Sequence, residues 1–321
     1  IWPDGKHQIL LDVKANQKLL IKYDEAKNDT KENKAQNKKT LFNSKFTSLD
    51  TIYKHIENPY NDFDKEILLP HKTSTFGPFI SVGDINNDNL DDFFVSGASN
   101  QSSGLFFQDD TGVFHKQKLG VRADKKQEDM GSLIFDADND GDLDLYVVSG
   151  GNEFEPNSEL LQDRLYINDG KGSYFLSKTA LPNMTTSGSR VYNLDFDNDG
   201  DQDLLVCGRL VPGNYPSPAK TYLLENLSSI DKVEFKDVTA ALIPEFENLG
   251  MATSASIEDI DGDGWQDIVI AGEWMPIRVF KNELGKNFNE ISESLGLENT
   301  TGWWFSIASG DFDNDGDIDF I

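Results

Sequence analysis

A single cysteine, Cys207, and four histidines, His7, His55, His71 and His115, leave this chain little of the chemistry that soft metals and nucleophilic enzymes use. One cysteine excludes an intrachain disulfide framework, and its setting in Leu204-Leu205-Val206-Cys207 reads as core packing. The histidines show no paired spacing, and neither a nucleophile elbow nor a Ser-His-Asp arrangement is visible. Basic residues are scarce too: 29 Lys and Arg stand against 56 Asp and Glu, a formal charge of −27. Phosphates need a basic surface, so the balance argues against nucleic acid or an anionic membrane as partner. No apolar run approaches the roughly 20 residues that span a bilayer, so no transmembrane segment is expected, and no signal peptide is visible.

What the chain has in excess is aspartate, and it is concentrated. Five nine-residue loops of one design open at Asp84, Asp136, Asp195, Asp259 and Asp311, at intervals of 52, 59, 64 and 52 residues. Position 3 is Asn86, Asp138, Asp197, Asp261 or Asp313, and position 5 is Asp88, Asp140, Asp199, Asp263 or Asp315. Position 7 is Leu90, Asp142, Asp201, Trp265 or Asp317, and position 9 is Asp92, Asp144, Asp203, Asp267 or Asp319. The loops alone hold 23 of the 56 acidic residues, so the acidity is local and looks like cation ligation.

Each loop lies between apolar strands, and the spacing suits a four-stranded unit with its connections. The second unit shows the whole grammar: strands over Gly131 to Phe135, Leu143 to Ser149, Asp163 to Ile167, and Ser173 to Ser177 after the turn Asn168-Asp169-Gly170-Lys171-Gly172. No long segment carries the 3.6-residue period of a helix. The expected organisation is a small β-hairpin element over residues 1–26, a Lys- and Asn-rich linker over 27–62, and repeats over 63–321, the last incomplete. The expected fold class is all-β, a propeller of four-stranded blades.

Calcium takes six to eight oxygens, so alternate carboxylates have to converge while the backbone turns sharply beneath them. Gly or Asn at position 6 (Asn89, Gly141, Gly200, Gly264, Gly316) permits that turn. Position 7 contributes only its carbonyl, which lets Leu90 and Trp265 occupy it. Zinc would want His or Cys, absent from all five loops, and magnesium a rigid octahedron with several waters. Up to five calcium ions are therefore expected. An EF-hand is excluded, because its twelfth position would be Val95, Val147, Val206 or Ile270, all within strands.

The pattern Asp-x-Asp-x-Asp-Gly-x-x-Asp followed by strands such as Asp144 to Gly150 resembles the FG-GAP or VCBS repeat family, found in integrin α-subunit heads and many bacterial envelope proteins. The opening Ile1-Trp2-Pro3-Asp4-Gly5-Lys6 through Ile21 is similar to the end of the ASPIC and UnbV-type module of cartilage-acidic-protein-like proteins. The resemblance implies a propeller of about seven blades with calcium between the first and second strands of each. Four blades and the start of a fifth fall within the chain, so closure would draw on sequence beyond it. The first loop departs from the pattern at Asn86 and Asn89, which implies weaker binding.

In such a fold the calcium face is structural, and the opposite face carries the irregular connections. Arg209, Tyr215, Trp274 and Trp303 are the residues expected there, as a platform for a protein or glycan ligand. The leading expectation is a non-enzymatic binding or scaffold module on the bacterial cell envelope or in another extracellular setting, where calcium is abundant. The alternative is a carbohydrate-active enzyme, a polysaccharide lyase or hydrolase. Finding His71 or His115 beside Tyr215 and Arg209 in one cleft would favour the enzyme.

Overall fold

The computed structural model describes residues 6–10, 13–14, 17–27, 53–117, 125–229 and 232–321. The chain divides into two compact units, Ile1–Thr51 and Ile52–Ile321. In the first, the hairpin expected over residues 1–26 is reduced, among the described residues, to one antiparallel bridge between His7 and Lys27 and a single 3-10 turn at Tyr23–Glu25. Among the described residues of this unit, Ile9 and Leu20 are 74% and 78% exposed. The expected linker falls largely outside the described residues.

The second unit is a row of antiparallel meanders. Its sheets are β1 (Ile80–Gly83), β2 (Asp92–Val95), β3 (Gly104–Gln108) and β4 (Phe114–Gln117); then β5 (Glu128–Phe135), β6 (Asp144–Gly150), β7 (Arg164–Asn168) and β8 (Tyr174–Ser177). The third sheet is β9 (Ser187–Leu194), β10 (Asp203–Leu210), β11 (Tyr222–Asn226) and β12 (Phe235–Asp237). The fourth is β13 (Met251–Glu258), β14 (Asp267–Met275), β15 (Arg278–Asn282) and β16 (Phe288–Glu290), with β17 (Gly302–Trp303) added beside β14. A final pair, β18 (Ser309–Gly310) and β19 (Asp319–Phe320), flanks the fifth loop. The whole is an all-β, β-propeller-like arrangement. Four strands of the second unit stand where the spacing places them, with β5 starting three residues earlier than Gly131.

Period-2 alternation explains why the second strands read as unbroken apolar runs. Leu145 and Val147 on β6 enter a core with Phe94 and Leu105 of the first sheet, while Tyr146 and Val148 enter another with Leu204 and Val206 of the third. Both faces of β6 are covered, so its middle, Leu145 to Val148, is an unbroken apolar run. Cys207 is fully buried between the third and fourth sheets, and burial pushes its thiol up to about 12. First strands neighbour one another, β1 with β5, β5 with β9 and β9 with β13. Serines stitch them: Ser81 Oγ donates to Ser132 O at 2.8 Å, and Ser189 Oγ to Ala252 O at 2.8 Å.

Two candidate sites at opposite strand ends

The five loops share one hydrogen-bond network. In each, the position-1 carboxylate accepts from the backbone N–H of positions 5 and 6, as Asp136 does from Asp140 at 3.2 Å and Gly141 at 3.0 Å. Asp84, Asp195, Asp259 and Asp311 repeat the pair of contacts. The position-5 carboxylate then accepts from the N–H of position 7 in every copy: Asp88 from Leu90, Asp140 from Asp142, Asp199 from Asp201, Asp263 from Trp265 and Asp315 from Asp317. The turn bends twice through the left-handed region, at position 6 as expected and also at position 4, occupied by Asn87, Asn139, Asn198, Gly262 and Asn314.

Position 9 does more than the sequence pattern suggests. Asp144 is buried, with one oxygen accepting from Ala137 N at 3.0 Å and the other from Asn168 N, at the end of β7, at 2.8 Å. Asp92, Asp203 and Asp267 hold the N–H of loop position 2 and the end of the third strand in the same way. Asp319 takes Phe312 N at 2.9 Å. Burial pushes Asp144 up to about 7 and Asp203 up to about 8.

The residue closing the third strand then reaches across to the preceding loop. Asn168 Nδ2 donates to Ile85 O, Asn226 Nδ2 to Ala137 O and Asn282 Nδ2 to Phe196 O, at 2.8, 3.1 and 2.8 Å. Position 2 supplies that carbonyl, and in the first three loops its side chain (Ile85, Ala137, Phe196) is buried in the seam between sheets. These asparagines were not among the expected site residues, although an Asn ends the third strand of three successive units.

Loops 2 to 5 each bring three carboxylate oxygens within 4.8 Å of one another: Asp136, Asp138 and Asp144; Asp195, Asp197 and Asp199; Asp259, Asp261 and Asp263; Asp311, Asp313 and Asp315. Asp138 Oδ1 and Asp197 Oδ1, at position 3, are hidden from solvent with no donor. Loops 1 and 4 differ. Asn86 Nδ2 donates to Asp88 Oδ2 at 3.0 Å in the first, and Lys281 Nζ caps both Asp261 and Asp263, the latter at 3.1 Å, in the fourth.

Arg209 and Glu273 stand six residues beyond the position-9 aspartates that open β10 and β14, about 20 Å along their strands. The four residues expected on this face come together here, around a hub the sequence did not reveal. Glu273 is fully buried, ion-paired to Arg209 Nη2, and accepts from Tyr215 Oη at 3.0 Å. Trp274 Nε1 donates to Tyr215 Oη at 2.5 Å, and its ring meets Trp303 edge-on at 5.3 Å. Trp274 is 54% exposed and held at φ 58°, a costly conformation for a bulky residue. Burial, with Glu273 beside it, pushes the Tyr215 phenol up to about 12.

His71 also belongs to this cluster. Its Nε2 lies 3.7 Å from the Glu273 oxygen that Tyr215 bonds, and its ring is 5.7 Å from that of Trp303. His71 Nε2 and Arg209 Nη1 are both buried without a hydrogen-bond partner. His115 is elsewhere, paired at 2.7 Å with Asp109 on the outer strands of the first sheet.

Two stretches, each carrying strands around this loop pattern, are similar to a known repeat family. Residues 136–206 and 259–321 match the FG-GAP-like repeat. Those stretches take in loops 2 to 5, and loop 1 lies outside them. No curated protein matches the chain.

Proposed function

We propose that the Asp-rich loops bind calcium and pin the sheets into a β-propeller whose opposite strand ends bind a protein or glycan ligand, outside the cytoplasm on a bacterial cell envelope. In this reading residues 1–26 are the end of an ASPIC and UnbV-type module of a cartilage-acidic-protein-like protein. The observation that carries it is the undonated position-3 oxygen of Asp138 and Asp197, beside position-1 carboxylates whose two oxygens both accept backbone N–H groups. A buried carboxylate oxygen without a donor is costly. A calcium ion shared with positions 1, 5 and 9 and the position-7 carbonyl supplies the missing partner and neutralises carboxylates that otherwise repel.

Loops 2, 3 and 5 suit the ion best, because Asn86 weakens loop 1 and Lys281 competes in loop 4. The ligand end is supported by Arg209 Nη1, unsatisfied behind the exposed rings of Trp274 and Trp303, which fits a sugar bearing acidic or hydroxyl groups. The test is calcium titration of the chelated chain followed by melting. A rise on the order of 5 °C at millimolar calcium, absent with magnesium, is expected from linkage. An unchanged melting curve overturns the calcium reading.

A second reading is favoured by His71 standing beside Glu273, whose carboxylate also holds Tyr215 and Arg209. A histidine, a carboxylate and a phenol within reach of one bound sugar are the parts of acid–base chemistry, and a polysaccharide lyase or hydrolase would use them. Turnover of any envelope polysaccharide, abolished in His71→Ala, would establish it over the binding module.

A further inference from the structure

Two polar atoms at the strand ends opposite the loops are buried and unpartnered, and they share one neighbour. Arg209 Nη1 has no acceptor, although Nη2 of the same guanidinium is held by Glu273, and His71 Nε2 makes no hydrogen bond, although it lies 3.7 Å from the same carboxylate. Phe76 sits beside both: the Arg209 guanidinium is 4.8 Å from the centre of its ring, and the His71 ring 5.7 Å. His71 in turn meets Trp303 at 5.7 Å and Phe305 at 6.2 Å, so ring contacts run without a break from the buried arginine to the exposed aromatics. Arg209 is 3% exposed, and an N–H left unbonded on a buried guanidinium is costly.

The exposed part is a corner of rings. Trp274 and Trp303 stand at 89° to one another with centres 5.3 Å apart, and Trp303 meets Phe305 at 82°. Trp274 spends its N–H on Tyr215 Oη, so what it offers outward is carbon surface. Charge here is already matched. Glu273 neutralises Arg209, and Glu66, whose Oε1 accepts from Tyr215 N at 2.8 Å, adds a further carboxylate. Among the described residues, no lysine or arginine other than Arg209 forms an ion pair with either glutamate.

We infer that this end, on the reading above that it is the ligand-binding end, takes an uncharged glycan, with a hydroxyl-bearing pyranose seated in the corner of Trp274 and Trp303. A carboxylate only accepts hydrogen bonds, and bringing one here sets it against Glu273 and Glu66 in a chain of formal charge −27. A hydroxyl both accepts and donates. It therefore satisfies Arg209 Nη1, which can only donate, and His71 Nε2 in either tautomer. The C–H face of the same pyranose covers the rings. An aliphatic or phenyl side chain from a protein would cover the rings and leave both polar atoms unmet.

The experiment titrates the intact chain, by calorimetry and tryptophan fluorescence, with neutral oligosaccharides (of glucose, xylose, mannose and N-acetylglucosamine) and with galacturonate and mannuronate oligomers of equal length. At least one neutral oligomer should bind about tenfold or more tightly than any uronate, with an affinity that salt leaves unchanged. Trp274→Ala and Trp303→Ala should each weaken that binding about tenfold. Should either variant fail to fold, the wild-type comparison of neutral with acidic sugars decides alone. Uronates bound as tightly overturn the uncharged ligand and leave the ligand end standing. Neutral binding that both variants keep in full lies elsewhere and overturns the site. A protein ligand lost on Trp274→Ala, with no oligosaccharide bound, overturns the glycan alone, and the absence of any ligand that these variants affect defeats the ligand end as well.

Discussion

The two ends of the strands are built on opposite principles. At the loop end one arrangement recurs five times, and its partners are backbone groups within a few residues or in the adjoining unit. At the other end, among the described residues, the ion pairs are single. Arg209 finds Glu273 across 64 residues, and Arg164 finds Asp129 across 35. Repetition marks what every sheet needs in order to stack. Singular, long-range polar contacts mark what one place in the molecule does.

The sharpest way to break the comparison is at the singular end. Glu273→Ala leaves the Arg209 guanidinium buried and unpaired, so a loss of about 3–5 kcal/mol in urea unfolding is expected, with ligand binding abolished. At the repeated end, Asp144→Ala and Asp203→Ala each orphan two backbone N–H groups, and each should cost about 2–4 kcal/mol. Near-equal costs support the equivalence of the loops, and a difference well beyond 1 kcal/mol would refute it.

Asp163 sharpens the contrast through pH. Burial pushes it up to about 7, although Ser149 N and Tyr146 Oη both donate to it. The folded chain therefore holds a proton that the unfolded chain releases near 3.8. The stability this contributes is complete below that value and is lost as pH rises through about 7. Relative to wild type, Asp163→Asn should gain on the order of 2 kcal/mol between acid and pH 8. A constant difference between the two melting profiles would contradict the assignment.

Smaller effects test the stitching. Asn226→Ala and Asn168→Ala should each cost about 1–2 kcal/mol at unchanged denaturant slope, because each removes three side-chain bonds, two donated by Nδ2 and one accepted by Oδ1. Lys281→Met, a half-buried change on β15 beside loop 4, should leave stability in chelator nearly unaltered and add one calcium ion to the metal count. An unchanged count would show that Lys281 does not compete for the loop.

Much of the loop end was legible because its geometry is local. Alternate acidic residues with Gly or Asn at position 6 specify a tight turn, and the strands after it follow from apolar alternation. What escaped notice there was the second left-handed position, at Asn87 and its equivalents, and the inter-sheet reach of Asn168, Asn226 and Asn282. Both leave a trace in the sequence, as an Asn repeated in register. At the other end, Arg209, Tyr215, Trp274 and Trp303 could be named as residents of one face, but Glu273 reads in the sequence only as the polar member of an apolar strand.

The sequence by itself determined the all-β class, the unit length and the turns, since hydrogen bonds between residues four or five apart need no distant partner. Only the tertiary structure decided which carboxylates are satisfied. It gave Asp62 four donors and Glu273 an arginine. A carboxylate's fate depends on what packing brings against it, and packing joins positions that no spacing along the chain relates.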